Sequence, residues 1–453
     1  MQERLVVDNA TIATVDANDT EIDRGHLVVE DDTIVAVGEG PAPIHADDVP
    51  TRRVDGTGRL VTPGLINTHH HFYQWLTRGL AQDSTLFDWL VTLYPLWSRI
   101  DEDSVYVAAR GSIAALLLSG CTTTSDHHYV FPREGGDVLG ATIRAGRELG
   151  VRLHATRGSM DLGESAGGLP PDYAVEDLDT ILDASVRAIE THHDPSPGAM
   201  VRIGIAPCSP FSVTTDLLRE SASLARSHGV RLHTHGSETV DEDHYCLEQF
   251  GVRPVEYLDD LGWLGSDVWL AHCVHVEHTD IARFAESGTG VAHCPSSNGR
   301  LGAGIAPVPE MLEAGVPVGL GVDGAASNES GGAISEVRAA LLFARARRGP
   351  EALTARQALR LATMGGARVL GRGDELGSLE SGKQADLAVW DVDGFEHASI
   401  DDKIATLALG ARPPLTLLAV NGRIVVEHDK LVTADTADIA RETTTASRGL
   451  LQG

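Results

Sequence analysis

Apolar and polar positions divide the chain into three stretches of different texture. From about residue 5 to residue 59, short apolar runs (residues 5–7, 11–15, 26–30 and 33–37) are broken by Gly, Asp and Asn. That rhythm predicts the strands of a small β unit. The far end repeats it, with runs at 385–390, 416–420 and 423–426 and Asn421-Gly422 placed as a hairpin turn between the last two. Two β segments flank one long middle, which predicts a small β-sandwich domain assembled from both termini. Its parts are residues 1–60 and residues 369–453, the latter ending in a tail.

The middle, residues 61–368, alternates apolar runs with longer helical patterns such as 103–118 and 216–228. The strand candidates are residues 60–69, 122–127, 151–156, 201–206, 230–235, 268–272, 290–293 and 316–323. Eight β-then-α units predict an α/β fold, a (β/α)8 TIM barrel, whose chemistry sits at the carboxyl ends of the strands. Six of these eight candidates end on or beside a His or Asp.

That placement concentrates the chemistry. The first candidate ends Asn67-Thr68-His69-His70-His71. In extended chain alternate residues share a face, so His69 and His71 can converge on a metal while His70 points away. Others end in His235 with Glu238 three residues on, in His272, and in Asp323. Singly, each is an ordinary core residue; jointly they are what a catalytic zinc or iron(II) ion requires, with water completing its coordination.

Composition narrows the function classes. The net charge is −29, and the three lysines are Lys383, Lys403 and Lys430. Such an acidic surface repels phosphate backbones, which excludes nucleic acid as a partner, and it suits a protein kept soluble in high salt. No apolar run approaches the ~18 residues of a membrane span, and Met1-Gln2-Glu3-Arg4-Leu5 lacks the layout of a signal peptide. A cytoplasmic enzyme without a membrane partner is expected. The five cysteines are scattered, with no C-x-x-C pair, and read as reduced, buried thiols.

The segments Pro63-Gly64-Leu65-Ile66-Asn67-Thr68-His69-His70-His71, His235-x-x-Glu238, Ala271-His272-Cys273 and Gly321-Val322-Asp323-Gly324 resemble the cytosine deaminase and chlorohydrolase branch of the amidohydrolase superfamily. The resemblance covers essentially the whole chain. It implies metal ligands His69, His71, His235 and Asp323, Glu238 as proton shuttle, and His272 poised over the attacking water, with Asp323 sharing the proton transfer. It also implies a homo-oligomer. Binuclear relatives use a lysine at the end of strand four, where this chain reads Gly204-Ile205-Ala206-Pro207-Cys208, so one zinc ion is expected, with iron(II) the alternative. The H-x-E with P-C-x-x-C deaminase pattern is absent.

Finer motifs, among them Asp126-His127-His128-Tyr129, Ala155-Thr156-Arg157-Gly158 and Ala206-Pro207-Cys208-Ser209-Pro210-Phe211, resemble the 8-oxoguanine deaminases. They imply hydrolytic deamination of a purine-like heterocycle, 8-oxoguanine to urate and ammonia. The alternatives are N-dealkylation or dehalogenation of triazines of the hydroxyatrazine type, and deamination of isocytosine or guanine. Substrate contacts are expected from Gln74 and Arg157 by hydrogen bonding and from Tyr129 and Trp97 by stacking. Cys208 reads as a packing residue, and His127, His128, His275 and His293 as outer hydrogen-bonding partners. One departure is Gly236-Ser237, where the family more often has Leu-Ala; this pair is expected to reshape the pocket floor. A non-catalytic relative would have lost a ligand or the acid, and none is lost here.

The acidic excess carries a prediction. The melting temperature should fall as salt is lowered below about molar, because self-repulsion grows with the Debye length. A melting curve unchanged from low to high salt would remove the reading of salt adaptation.

Overall fold

The computed structural model describes residues 3–43 and 49–452. Met1, Gln2, residues 44–48 of the amino-terminal β unit and Gly453 at the end of the tail lie outside the described residues. Eight parallel strands close on themselves in chain order: Leu65–Asn67, Cys121–His128, Arg152–Ser159, Val201–Pro207, Arg231–Gly236, Val268–His272, Gly290–His293 and Val318–Leu320. Leu320 returns beside Asn67 to seal the barrel. Helices cover the outside because their apolar spacing permits one buried stripe. In Thr215–Ser227, for example, Leu217, Leu218, Ser221, Ala222 and Ala225 face inward, and the Thr214 side chain accepts the Leu217 N–H at the helix start. The helix Glu102–Leu118 begins with a reciprocal Asp101–Ser104 capping box.

Two strand expectations change at their ends. The run 60–69 is two strands: Arg59–Pro63 belongs to the terminal sheet and Leu65–Asn67 to the barrel. Between them Gly64 crosses so close to the second barrel strand that a Cβ would lie 2.2 Å from the Thr122 side chain. Only glycine makes that passage. The last candidate shortens to Val318–Leu320, so Asp323 sits beyond the ladder rather than in it.

The two termini form one continuous nine-stranded hydrogen-bonded sheet. The chain's ends meet where Arg59–Pro63 pairs antiparallel with Leu387–Asp391. Asn421 and Gly422, with φ of 51° and 74°, make the hairpin turn between Leu415–Val420 and Arg423–Glu427. Thr51–Asp55, a strand with no apolar alternation to announce it, runs parallel to Arg4–Ala13. The tail is ordered. Thr436–Gln452 is a helix lying on the barrel's outer layer, with Leu450 buried and the Ser447 hydroxyl donating to the Leu76 carbonyl at 2.7 Å. Among the described residues all five cysteines are free and buried, and no helix is long and apolar enough to cross a membrane.

A buried ion pair ties sheet to barrel. Arg152, at the start of the third barrel strand, donates to both oxygens of Asp386 at 3.1 and 2.9 Å, and neither residue is more than 6% exposed. Breaking one side leaves the other charge stranded in the interior. Asp386→Asn should therefore destabilise the protein by about 3–5 kcal/mol. Denaturant unfolding measures this, and an unchanged midpoint would contradict it.

Candidate metal centre

Histidine orientation builds the site. Regular strand ends at Asn67, yet His69 and His71 still face the barrel axis with ring centroids 4.7 Å apart. His70 turns away against Phe72, and its Nδ1 accepts the His71 backbone N–H at 2.7 Å. Each inward imidazole is held from behind. The His71 Nδ1 lies 2.6 Å from the His127 carbonyl, and the His235 Nδ1 lies 2.6 Å from the Cys208 carbonyl. A carbonyl only accepts, so both rings carry their proton on Nδ1. His69 is fixed one step further out. The His233 Nδ1 donates to the Trp269 carbonyl at 2.8 Å, which leaves the His233 Nε2 to accept from the His69 Nδ1 at 2.7 Å.

All three Nε2 lone pairs therefore aim at one point. The Nε2 atoms of His71 and His235 are 3.2 Å apart, and the Asp323 Oδ1 lies 3.3 Å from the Nε2 of both His69 and His71. The His69 Nε2 is buried without a hydrogen-bond partner. Burial holds His69 well below the usual histidine range, and burial with His71 and His272 pushes His235 down to about 3. Burial pushes Asp323 up, but its contacts with His69 and His71 outweigh this and hold it well below the carboxylate range. Three Nε2 atoms and one carboxylate oxygen thus crowd a single point. A divalent cation resolves that arrangement, so the donor set fits a metal.

Glu238 and His272 stand over the same point. The His272 Nδ1 is tied to the Asn298 Oδ1 at 2.9 Å, and its Nε2 lies 3.5 Å from the Glu238 carboxylate. Burial, then the charge of Asp323, pushes Glu238 well above the usual glutamate range. Glu242 shapes the turn before it by accepting the backbone N–H groups of Ser237 and Glu238 at 2.9 and 2.8 Å. The Asp323 Oδ2 accepts the Ser297 hydroxyl at 2.6 Å. Ser237, His272 and Asp323 all hold positive φ (53°, 73° and 63°), and for residues with side chains that is strain concentrated at the centre.

The adjoining cavity is about 30 Å³. One wall is apolar, from Leu86, Trp89, Leu90, Phe211 and Leu301; Gln74, Tyr129 and Cys208 face the metal side. Gln74 reaches it because residue 324 is glycine, where a Cβ would fall 1.7 Å from the Gln74 Oε1. That Oε1 is buried and unpartnered.

Of the four expected substrate contacts, Gln74 and Tyr129 line the cavity, while Arg157 and Trp97 do not. The Arg157 guanidinium is held by both oxygens of Glu176 at 2.7 and 2.9 Å and lies 3.5 Å over the Phe131 ring. The Trp97 indole donates to the Thr77 hydroxyl at 3.1 Å and packs edge-on against Tyr73 and Trp89. Gly236 and Ser237 are not in the lining either. A Cβ on Gly236 would meet Leu258 and Leu270 at 3.4 and 3.6 Å, so the substitution faces the packed layer rather than a pocket floor. His127 is closer to the centre than its sequence suggests, grouped with His69, His71 and His235 as a set of possible ligand atoms. His233, Glu242, Ser297 and Asn298 carry no motif of their own; only the fold brings them behind the ligands.

Residues 60–425 match the amidohydrolase family model, and the chain belongs to that family. It is 47% identical to 8-oxoguanine deaminase from Pseudomonas aeruginosa over 436 residues, 95% of each chain. It is 37% identical to hydroxydechloroatrazine ethylaminohydrolase from Pseudomonas sp. strain ADP over 458 residues, covering 98% of this chain and 94% of that one. Its fold matches atrazine chlorohydrolase from Arthrobacter aurescens TC1 complexed with zinc, with a TM-score of 0.93 and 34% identity over 98% of this chain and 100% of that one. The branch read from the motifs is borne out, and the centre is that of a metal-dependent hydrolase.

The outer shell carries a prediction. His233→Leu removes the acceptor that fixes the His69 tautomer, and metal affinity should fall about 10–100-fold. Competition with a chromophoric chelator reads this directly; unchanged affinity would show that His233 only fills space.

Proposed function

We propose that the chain is a zinc-dependent aminohydrolase holding one ion and converting 8-oxoguanine and water to urate and ammonia. The observation that carries the reaction class is the convergence of three Nε2 lone pairs and the Asp323 carboxylate beneath Glu238 and His272. The substrate rests on the 47% identity to an 8-oxoguanine deaminase across 95% of both chains.

The ion, held by His69, His71, His235 and Asp323, would make water nucleophilic at neutral pH. The His272 ring, oriented by its Nδ1 contact with Asn298, would present its Nε2 to the attacking water and share with Asp323 in taking its proton. Glu238 donates to the ring nitrogen next to the carbon under attack, so negative charge never builds on the ring. As the C–N bond breaks, Asp323 passes the proton taken from water to the departing amine, which leaves as ammonia, and the Glu238 carboxylate takes the hydroxyl proton of the adduct as the new carbonyl forms. The free Gln74 Oε1 can accept a ring N–H, and Tyr129 walls the ring. Cys208 stays a thiol, pushed up to about 12 by burial, and plays no nucleophilic part.

The cavity beside the centre, about 30 Å³, is small and is bounded on its apolar side by Leu86, Trp89 and Leu90.

Ammonia release from 8-oxoguanine, guanine, isocytosine and hydroxyatrazine, measured side by side on zinc-loaded protein, tests the reading. Turnover of 8-oxoguanine to urate is expected, with Glu238→Gln slower by about 10²–10⁴-fold. Ethylamine from hydroxyatrazine with 8-oxoguanine untouched would move the substrate to the triazines. No turnover of any of the four by metal-loaded protein would overturn the substrate class.

A further inference from the structure

The opposite end of the barrel holds a second cluster that the reaction does not use. Arg152 and His154 lie at the start of the third strand, Arg202 at the start of the fourth and Arg231 at the start of the fifth. Register sets His154 beside Arg202, and Gly204 beside Arg231. Arg372 joins them from the segment after the helix Gly366–Val369; the position of a Cβ on neighbouring Gly371 is only 2.6 Å from the Arg231 Nη1.

Two carboxylates form ion pairs with three of these four guanidinium groups, while Asp32 and Asp267 act on Arg152 and Arg231 from further off. Asp386 is taken by Arg152. Glu375 receives the Arg372 Nε at 2.6 Å and the Arg202 Nη2 at 3.0 Å on the same oxygen. Arg231 spends its Nη2 on the Val369 carbonyl at 2.8 Å. The remaining acid near Arg231, Asp267, is paired with Arg226 at 2.9 Å. What is left is a set of buried nitrogens with no hydrogen-bond partner: the Nε atoms of Arg202 and Arg231, both Nη atoms of Arg372, and both ring nitrogens of His154. Arg372 and His154 are each 1% exposed. Burial, with Arg152 and Arg202 nearby, pushes Arg372 down to about 10 despite Glu375.

Buried cationic donors without acceptors are strongly disfavoured, and waters supply no compensating charge. We propose that the amino-terminal end of the barrel is a closed binding site for a small monovalent inorganic anion of chloride's size, held by Arg372 and His154 with Arg202 and Arg231 beside them. Every unpartnered atom of these arginines is an N–H donor, and a spherical ion makes no directional demand on donors arriving from separate strands and a loop. The Trp269 ring lies 5.3 Å from the His154 ring and 5.7 Å from the Arg231 guanidinium, on the inner side of the cluster. The ion would pin strands three to five to the segment carrying Arg372, a structural role independent of the metal centre.

Crystals of the whole protein grown in sodium bromide, measured at the bromine absorption edge, test this on the unaltered chain. An anomalous peak between the Arg372 guanidinium and the His154 ring is expected; density there that refines as water, with no anomalous signal, would overturn the site. In solution, replacing acetate by chloride at constant ionic strength should raise Tm by about 2 °C, a comparison that removes general charge screening. Arg372→Lys and His154→Phe should each lose that chloride-specific rise. A rise equal in wild type and both variants would place any bound chloride elsewhere. The bromide map decides the matter even where a variant fails to fold.

Discussion

Imidazole rings present lone pairs to one another at this centre only because each is held by its far nitrogen. The carbonyls of His127, Cys208 and Trp269 accept Nδ1 protons, directly or through His233, and those carbonyls belong to the barrel strands or the residues just beyond them. Closing the barrel thus selects the tautomers, and the tautomers define where a cation sits. Crowding of these atoms at one point is the cost, and a bound divalent ion offsets it. The positive φ values at His272 and Asp323 belong to the same compromise, since both adopt the left-handed region at their strand ends with their side chains at one point.

The two ends of the barrel solve opposite problems with opposite charges. At the carboxyl end, histidines and Asp323 surround a place for a cation; at the amino end, three of four guanidinium groups share ion pairs with two carboxylates. Between them the stacked pair His233 and Trp269, 4.4 Å apart, fills the interior and keeps the two regions separate. The terminal sheet depends on the lower region too, because Asp386 leaves that sheet to meet Arg152 inside the barrel.

Much of the proposed ligand set was legible because strand ends and metal sites coincide in a parallel barrel. His69, His71, His235, His272 and Asp323 are marked by residue type at the right place in a repeating pattern, and Glu238 by its spacing from His235. The contacts to substrate were less legible. Arg157 is charged and lies at a strand end, which is what a substrate anchor looks like in sequence, but Glu176, nineteen residues on in a loop, claims it. Trp97 is aromatic at helical spacing, and that signal does not distinguish a pocket wall from the core behind it.

Patterning along the chain determined the architecture: eight β-then-α units, a β domain drawn from both ends, and a histidine-rich mouth. Those are local signals, set by the period of apolar residues and by which side chains close each strand. Tertiary structure alone decided the rest: the split at Gly64, the tautomer of each histidine, the service of His233, Glu242, Ser297 and Asn298, and the buried arginines of the far end. These depend on distances between residues tens to hundreds of positions apart, such as Asn67 beside Leu320, and no local period encodes such a distance.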